Sequence, residues 1–403
     1  MFSGNYLTKI VSSTTIDPLL LLLSSILIAL LLFLYMMLLM QYRRAWFRVG
    51  NMGPTLSNQA ESPFLSIIVA VRNEEERIET LINHLLAQHY PETRMEIIIV
   101  DDHSTDHTAT RVQSYTDPRI RLLRMTEVDN TTVAFKKLAL QTAVAASRGS
   151  YIVTTDADCR MGKYWLRTIA DTILHEKPAM IVMPVDMFRS WRPLALFQSL
   201  DFLSLQGITM ALFGLKTPAL CNGANMAYSK ECFEAVGGYA GVTHMASGDD
   251  MMLLEKCNRQ YPGRVVYLKN KQAIVHTDPE PTVSAFIQQR IRWSGKMHGT
   301  GHSGIKPVFL LVGSLNAGLL LFGLCILLLP ETNRAAMADM GLLFLLIKTI
   351  VELYFLFPVA RFFGRTRMLW FFPVAQPVHI IYTVVAGLLS FRKTYSWKGR
   401  QVR

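Results

Sequence analysis

Two stretches, Ser66-Ile67-Ile68-Val69-Ala70-Val71-Arg72-Asn73-Glu74 and Glu96-Ile97-Ile98-Ile99-Val100-Asp101-Asp102-His103-Ser104-Thr105, decide how this chain folds. Each is a short β-branched run that ends abruptly in polar residues. Continuous apolar runs of this length are typical of strands buried on both faces. Between them, Glu74 to His89 carries Ile78, Leu81, Ile82, Leu85 and Leu86 at helical spacing. The unit is strand, helix, strand. The pattern continues with Ile120–Leu123, a helix expected over Thr131–Ser147 and a strand at Tyr151–Thr154. Such alternation predicts an α/β fold with a mostly parallel sheet and helices on both sides. Ligands of these sheets bind beyond the C-terminal ends of the strands.

Outward from this core the composition changes. The 403 residues are 51% apolar and only 18% charged, against about a quarter charged in soluble proteins. Disorder is excluded, because it requires low hydrophobicity. Leu19–Met40 carries no charge and is long enough to cross about 30 Å of hydrocarbon. A signal peptide would have a shorter apolar core with positive charge before it. Here only Lys9 precedes, and Arg43, Arg44 and Arg48 follow. The expectation is a retained transmembrane helix with the following residues in the cytoplasm. Three more apolar segments lie at 307–330, 341–360 and 368–391. Leu194–Leu215 is interrupted by Gln198, Asp201 and Gln206, which suits an interfacial or buried helix. Lys348 and Glu352, four apart, read as an ion pair on one helix face. Pro373, Gln376, Pro377 and His379 break up the last segment, so a re-entrant path is expected there. That path would leave the basic tail (Arg392, Lys393, Lys398, Arg400, Arg403) cytoplasmic.

The predicted division is an N-terminal tail (1–17), a membrane helix (18–41), a linker (42–63), a cytoplasmic domain (64–300), a membrane region (301–391) and a basic tail (392–403). The net charge of +11 is compatible with nucleic acid, an anionic membrane or phosphorylated small molecules. Many of the cations flank membrane segments and no nucleic-acid motif is present, so no nucleic-acid partner is expected. Cys159, Cys221, Cys232, Cys257 and Cys325 include no C-x-x-C pair. A disulfide framework or zinc site is not expected, and a reducing compartment is.

The polar residues cluster after the strands. Asp101 and Asp102 follow the second, and Asp156-Ala157-Asp158 follows the strand at 151. Ser104 and Asp106 are good helix caps, but acidic groups after several strands of one sheet converge on one crevice. Residues i and i+2 of an extended chain project to one side, so Asp156 and Asp158 can face one ion. Hard divalent cations take such carboxylates together with phosphate oxygens and water. Lys136 and Lys137, opening a helix, are either a solvated pair or a cation for a diphosphate. Ser247-Gly248-Asp249-Asp250 before a helical run is either a cap with charge suited to the helix dipole or a source of a general base. Gln289, Arg292 and Trp293 fall on one helix face at i, i+3 and i+4. They offer an amide, a guanidinium suited to diphosphate and an indole to cover a sugar or base. The plainer alternative is a basic helix at the membrane surface, with Arg290 and Lys296 nearby.

Together these motifs resemble the family 2 glycosyltransferases of GT-A fold, in the membrane branch that includes cellulose, chitin and hyaluronan synthases. The resemblance covers about residues 64 to 300. Ile67–Glu74 and Ile98–Thr105 resemble the nucleotide-binding strands, Asp156-Ala157-Asp158 the D-x-D, and Gln289, Arg292 and Trp293 the Q-x-x-R-W. Asp250 falls where the family's base carboxylate stands. Gly248-Asp249-Asp250 replaces the common T-E-D, and Phe135-Lys136 a common Gly-Lys. The resemblance implies donor contacts from Glu74, Asp101, Asp102, Lys136 and Asp156, and Mg²⁺ or Mn²⁺ on Asp156 and Asp158. It implies catalytic roles for Asp249, Asp250, Gln289, Arg292 and Trp293. Asn222-Gly223-Ala224-Asn225 resembles an acceptor-side loop, which would bring Asn225 and Trp293 to the acceptor; a plain turn is the alternative. The implied activity is inverting transfer from a nucleotide sugar, UDP-linked, to a lipid or growing glycan at the membrane. A processive polysaccharide synthase and a non-catalytic nucleotide-binding membrane protein are the rival readings. No partner subunit, sugar or acceptor is legible.

Overall fold

In the computed structural model the two apolar runs are strands, Leu65–Val71 (β1) and Met95–Asp101 (β2). They pair in parallel from Leu65 opposite Met95 to Val71 opposite Asp101. Every residue of β2 is buried, as are six of the seven in β1. Residues 18–51, 61–125, 135–241, 248–298, 306–328, 331–389, 395–397 and 400–402 are described. The chain divides into two units, one of Met1–Gln41, Ser303–Pro358 and Thr366–Leu388, the other of Tyr42–His302, Val359–Arg365 and Leu389–Arg403.

The second unit is built on β1 and β2. Helix α2 (Ile78–Leu86) buries Ile78, Leu81, Ile82 and Leu85 completely, each such side chain contributing about 1.5–3 kcal/mol. Helix α3 (Thr108–Gln113) leads to β3 (Ile120–Arg124), and α4 (Phe135–Ala146) to β4 (Tyr151–Thr154). Helix α4 lies within the expected 131–147; residues 131–134 are outside the described residues. The short β5 (Arg160–Met161) precedes α5 (Trp165–Glu176), β6 (Met180–Val182), β7 (Val185–Met187) and α6 (Pro193–Gly214). Then come β8 (Met226–Ser229), α7 (Lys230–Ala235), α8 (Asp249–Gln260), β9 (Val265–Tyr267), β10 (Val275–Thr277) and α9 (Val283–His298). Near the end, β11 (Tyr395–Trp397) and β12 (Arg400–Val402) pair antiparallel.

The large sheet runs β3-β2-β1-β4-β8-β6-β9. Only β8 runs against its neighbours, so the mostly parallel sheet expected from the alternation is present. Strand order reverses between β1 and β4, and in open α/β sheets ligands enter at such a switch point. A small sheet, β5-β10-β7, is built from strands that alternate in sequence with those of the large one. Helix α6 carries the polar residues of the Leu194–Leu215 stretch, and each is used inside the unit. Gln198 exchanges two hydrogen bonds with the Glu280 backbone, Asp201 pairs with Arg290 at 2.8 Å, and Gln206 accepts from the Val185 N–H.

The first unit comprises most of α1 (Pro18–Arg48) with α10 (Lys306–Leu328), α11 (Glu331–Phe363) and α12 (Phe372–Leu389). Counting α6, five helices among the described residues are long and apolar enough to cross a membrane. The expected break in the last segment is absent: Phe372–Leu389 is one helix. Pro373 falls in its first turn, where its missing N–H has no intrahelical partner to lose, while Pro377 is tolerated inside. Lys348 and Glu352 do pair, at 2.6 Å. The pair belongs to a larger network, since the Tyr35 hydroxyl (2.6 Å) and the Gln376 amide also donate to Glu352, and Lys348 donates to Gln376 at 3.0 Å.

Candidate active site

Beyond β4 the chain turns. The Cys159 N–H donates to the Asp156 carbonyl at 3.1 Å, so Asp156-Ala157-Asp158 is a tight turn. This corrects the extended-chain geometry expected for the pair: the two aspartates stand on a turn, each with its own partner. Asp158 Oδ2 accepts from the Thr277 hydroxyl of β10 at 2.7 Å, and Asp156 Oδ1 from the Lys136 ammonium at 2.8 Å. Both aspartates remain partly exposed.

Lys136, in the first turn of α4, joins two motifs, because its Nζ also lies 3.8 Å from Asp249 Oδ2. Burial works to lower its pKa, but the carboxylates of Asp156, Asp249 and Asp250 outweigh burial and raise it. The ammonium therefore keeps its charge. Lys137 is fully buried, with Nζ 3.5 Å from the Met252 sulfur.

Helix α8 begins at Gly248, whose φ of 83° is a left-handed conformation that glycine adopts without strain. No side chain caps this end; Ser247 lies outside the described residues. Asp249 and Asp250 thus sit in the first turn, not at the cap, and both are buried. Asp250 accepts from the Gly223 N–H at 3.2 Å and the Met251 N–H at 2.9 Å. The helix N-terminus favours their charge.

After β1 and β2 the two polar loops bind each other. Arg72 donates to the carbonyls of Asp102 and His103, both at 2.8 Å, and Asn73 exchanges hydrogen bonds with Ser104 and Thr105. Asn73 and His103 hold positive φ (52° and 56°), a strained arrangement often found at functional sites. Asp101 accepts from the Ser104 N–H, Asp102 meets the His103 ring at 3.0 Å, and the Glu74 carboxylate lies 3.5 Å from Arg77. All three acids are buried. Asp106 accepts from the Thr108 N–H and hydroxyl at 3.0 and 2.6 Å, one residue before the N-cap position, which His107 holds.

The Gln289–Trp293 face is divided. Gln289 donates to Glu280 at 2.8 Å, Arg292 is partly exposed, and the half-buried Trp293 packs on Phe202 at 5.8 Å between ring centroids. Arg290 is no surface cation. It is 4% exposed, paired with Asp201, and its guanidinium lies 4.2 Å from the Trp293 ring centre. Asn225 needs a correction. It is fully buried, its amide donates to the carbonyls of Pro184 and Ala273, and its oxygen accepts from the Trp165 indole at 3.0 Å. With its hydrogen-bonding groups engaged in the core, it cannot serve an acceptor. Gly223, two residues earlier, is what that loop presents to Asp250.

Residues 66–237 match the family model described as Glycosyl transferase family 2. The match covers less than half of the 403 residues. The chain is 28% identical over 117 residues to Glycosyltransferase AglE of Haloferax volcanii, covering 28% of this chain and 36% of that protein. It is 32% identical over 124 residues to a beta-monoglucosyldiacylglycerol synthase of Nostoc sp., covering 30% and 24%. The matches thus span about a third and a quarter of those relatives' lengths. A mannosyltransferase from Pyrobaculum calidifontis, solved in complex with GDP-Man and Mn²⁺, superposes with a TM-score of 0.54 at 19% identity, covering 89% of this chain and 99% of that one. That likeness establishes the shared fold.

The match to the family 2 domain stops before Asp249, Asp250 and Gln289, yet Lys136 joins Asp249 to the D-x-D turn. Among the described residues no group of three or more His, Cys, Asp or Glu side chains forms a metal cluster. Two partly exposed carboxylates fit a hard cation that completes its shell with water and phosphate oxygens; they do not make an all-protein cage. Sequence reasoning missed Thr277 and the buried ion pair of Asp186 with Arg365 at 2.7 Å. Burial raises the Asp186 carboxyl, and Arg365 only partly offsets it. Both lie on strands or turns without a motif, and Arg365 is 179 residues from its partner, so no local signal marks them.

Proposed function

We propose that this chain is a membrane-anchored inverting glycosyltransferase that moves a sugar from a nucleotide sugar to a lipid or glycan acceptor at the bilayer, with its family 2 domain on the cytoplasmic side. The observation that carries the reading is Lys136, bonded to Asp156 of the D-x-D and close to Asp249 beside Asp250. One crevice thereby holds a leaving-group side and a base side. Asp156 and Asp158 would hold a divalent cation, Mg²⁺ or Mn²⁺, which when bound supplies Lewis-acid neutralisation of a diphosphate. Lys136, charged throughout, adds a second cation for the same oxygens. Asp250 takes the proton from the acceptor hydroxyl, and that hydroxyl attacks the anomeric carbon from the face opposite the departing diphosphate. The N–H of Gly223 keeps the carboxylate oriented for this step. Arg292, partly exposed on α9, stabilises charge as it develops on the diphosphate, and Gln289 and Trp293 complete that wall. The donor is UDP-linked in this reading. A lipid acceptor fits the apolar helices, and a glucolipid synthase is among the relatives.

Membranes bearing the protein, given a panel of labelled UDP- and GDP-sugars with Mn²⁺, test the proposal. The expected result is consumption of one UDP-sugar with label entering a lipid as a single residue of inverted anomeric configuration. A ladder of products would favour a processive synthase, and no consumption of any donor would refute the activity.

A further inference from the structure

The last turn of α1 and the end of α6 meet at an unusually close contact. A Cβ on Gly214 would stand 1.9 Å from the Ala45 carbonyl oxygen, so the two backbones approach with nothing between them. Just past this crossing lies a groove of about 390 Å³ lined by Arg48, Phe213, Leu215, Lys216, Val265 and Tyr267, among others. It belongs to the β9 edge of the large sheet, with β8 and β6 between it and β4, and is separate from the D-x-D turn.

Two helix C-termini converge here, and their carbonyls would ordinarily claim any nearby cation. They are already provided for. The buried Lys269 donates to the carbonyls of Trp46 and Val49 at 3.1 and 3.2 Å while lying 3.4 Å from the Trp46 ring centre. The last carbonyls of α6 (Ala211, Leu212, Phe213) accept from the N–H groups of Leu215, Thr217 and Lys216. Arg48 and Lys216, both exposed, are therefore not needed as caps, and among the described residues neither has an acidic partner. Tyr267 is 6% exposed and edge-packed against Phe213 at 5.4 Å. Its hydroxyl has no hydrogen-bond partner among the described residues, a costly state for a buried donor unless a ligand completes it.

Two cations at the mouth, a buried hydroxyl lacking an acceptor and an apolar lining match a phosphate joined to a hydrocarbon body. We propose that this groove binds the phosphate headgroup of an anionic phospholipid, with Arg48 and Lys216 on the phosphate oxygens, Tyr267 donating to one of them, and Phe213, Leu215 and Val265 against the glycerol and acyl portion. The source is the bilayer, because Arg48 closes an apolar helix long enough to cross one. The site is independent of the proposed sugar transfer.

The test is native mass spectrometry of the full-length protein in detergent, titrated with phosphatidylglycerol or phosphatidylcholine. Wild type is expected to retain phosphatidylglycerol preferentially. Arg48→Gln with Lys216→Gln should weaken its retention about 25-fold, about fivefold for each cation, without changing phosphatidylcholine binding. Tyr267→Phe should weaken it about tenfold, and Arg48→Lys with Lys216→Arg should retain it. Equal retention of both lipids by wild type overturns the proposal even if the double variant fails to fold. So does undiminished phosphatidylglycerol binding by a folded double variant. Displacement by an equal concentration of inorganic phosphate would reassign the groove to free anions and overturn the lipid source.

Discussion

At the scale of single residues, the site depends on how one ammonium is shared. Lys136 bridges Asp156 and Asp249, and without it three carboxylates would crowd one crevice with that cation gone. Lys136→Met is expected to reduce transfer about 10²–10³-fold, the usual loss for a preorganised charge at a leaving group. Steady-state kinetics on membranes with equal protein content check this; activity within threefold of wild type would remove Lys136 from the site. Asp158→Asn should abolish transfer while leaving membrane insertion intact, and its hydrogen bond from Thr277 predicts that Thr277→Val lowers activity too, by about tenfold. Fractionation and donor consumption measure both. The aspartates stood out because polar residues at strand ends have few structural reasons to be there, whereas Lys136, opening a helix, read equally as a solvated lysine. Thr277 did not stand out, since a threonine in a strand is ordinary. Asn225 misled for the opposite reason: an asparagine in a Gly-rich turn looks available, and only the fold reveals that Trp165, Pro184 and Ala273 surround its amide.

At the scale of elements, β1, β2, β3 and the turn before β4 are tied together by a buried carboxylate outside the proposed site. Glu96 of β2 is fully buried and accepts from the Ser66 hydroxyl, the Arg148 N–H and the guanidinium groups of Arg121 and Arg148. Burial opposes its charge, but these donors prevail and lower its pKa. Because the folded pKa is depressed, this contribution is present above the unfolded value of about 4.3 and is lost as pH falls through the folded one. Glu96→Gln should cost about 2–3 kcal/mol at pH 7, the scale of hydrogen bonds to a charged group. The gap from wild type should close as the medium is acidified below pH 4. Thermal unfolding of the two proteins across that range is the measurement, and a gap that widens in acid would refute the assignment. Strands β1 to β4, the helices α2 and α4 and the long apolar helices were legible from periodicity, whereas α3 and the short strands β5 to β12 carry too few residues to show a period. Limits were less legible: the proline-bearing 372–389 stays helical because one proline falls where a helix start loses no hydrogen bond.

At the scale of the whole molecule, the opening apolar excess resolves into helices of membrane-spanning character and a buried α/β sheet, each unit with its own polar fastening. In the first unit that fastening is Lys348, Glu352, Gln376 and Tyr35. The sequence revealed the Lys348–Glu352 spacing, whereas Tyr35 and Gln376 come from distant helices and carry no local sign. Lys348→Met leaves a buried carboxylate unpaired and should destabilise the protein by about 3–5 kcal/mol. Lys348→Met with Glu352→Gln should cost less than the single change, and unfolding in detergent reads the difference. The central claim, that the chain transfers sugars with Asp250 as base, is tested most directly by the rate of donor consumption by membranes bearing Asp250→Asn. The account predicts a loss of about 10²–10⁴-fold with normal insertion and folding; wild-type turnover by that variant would contradict it.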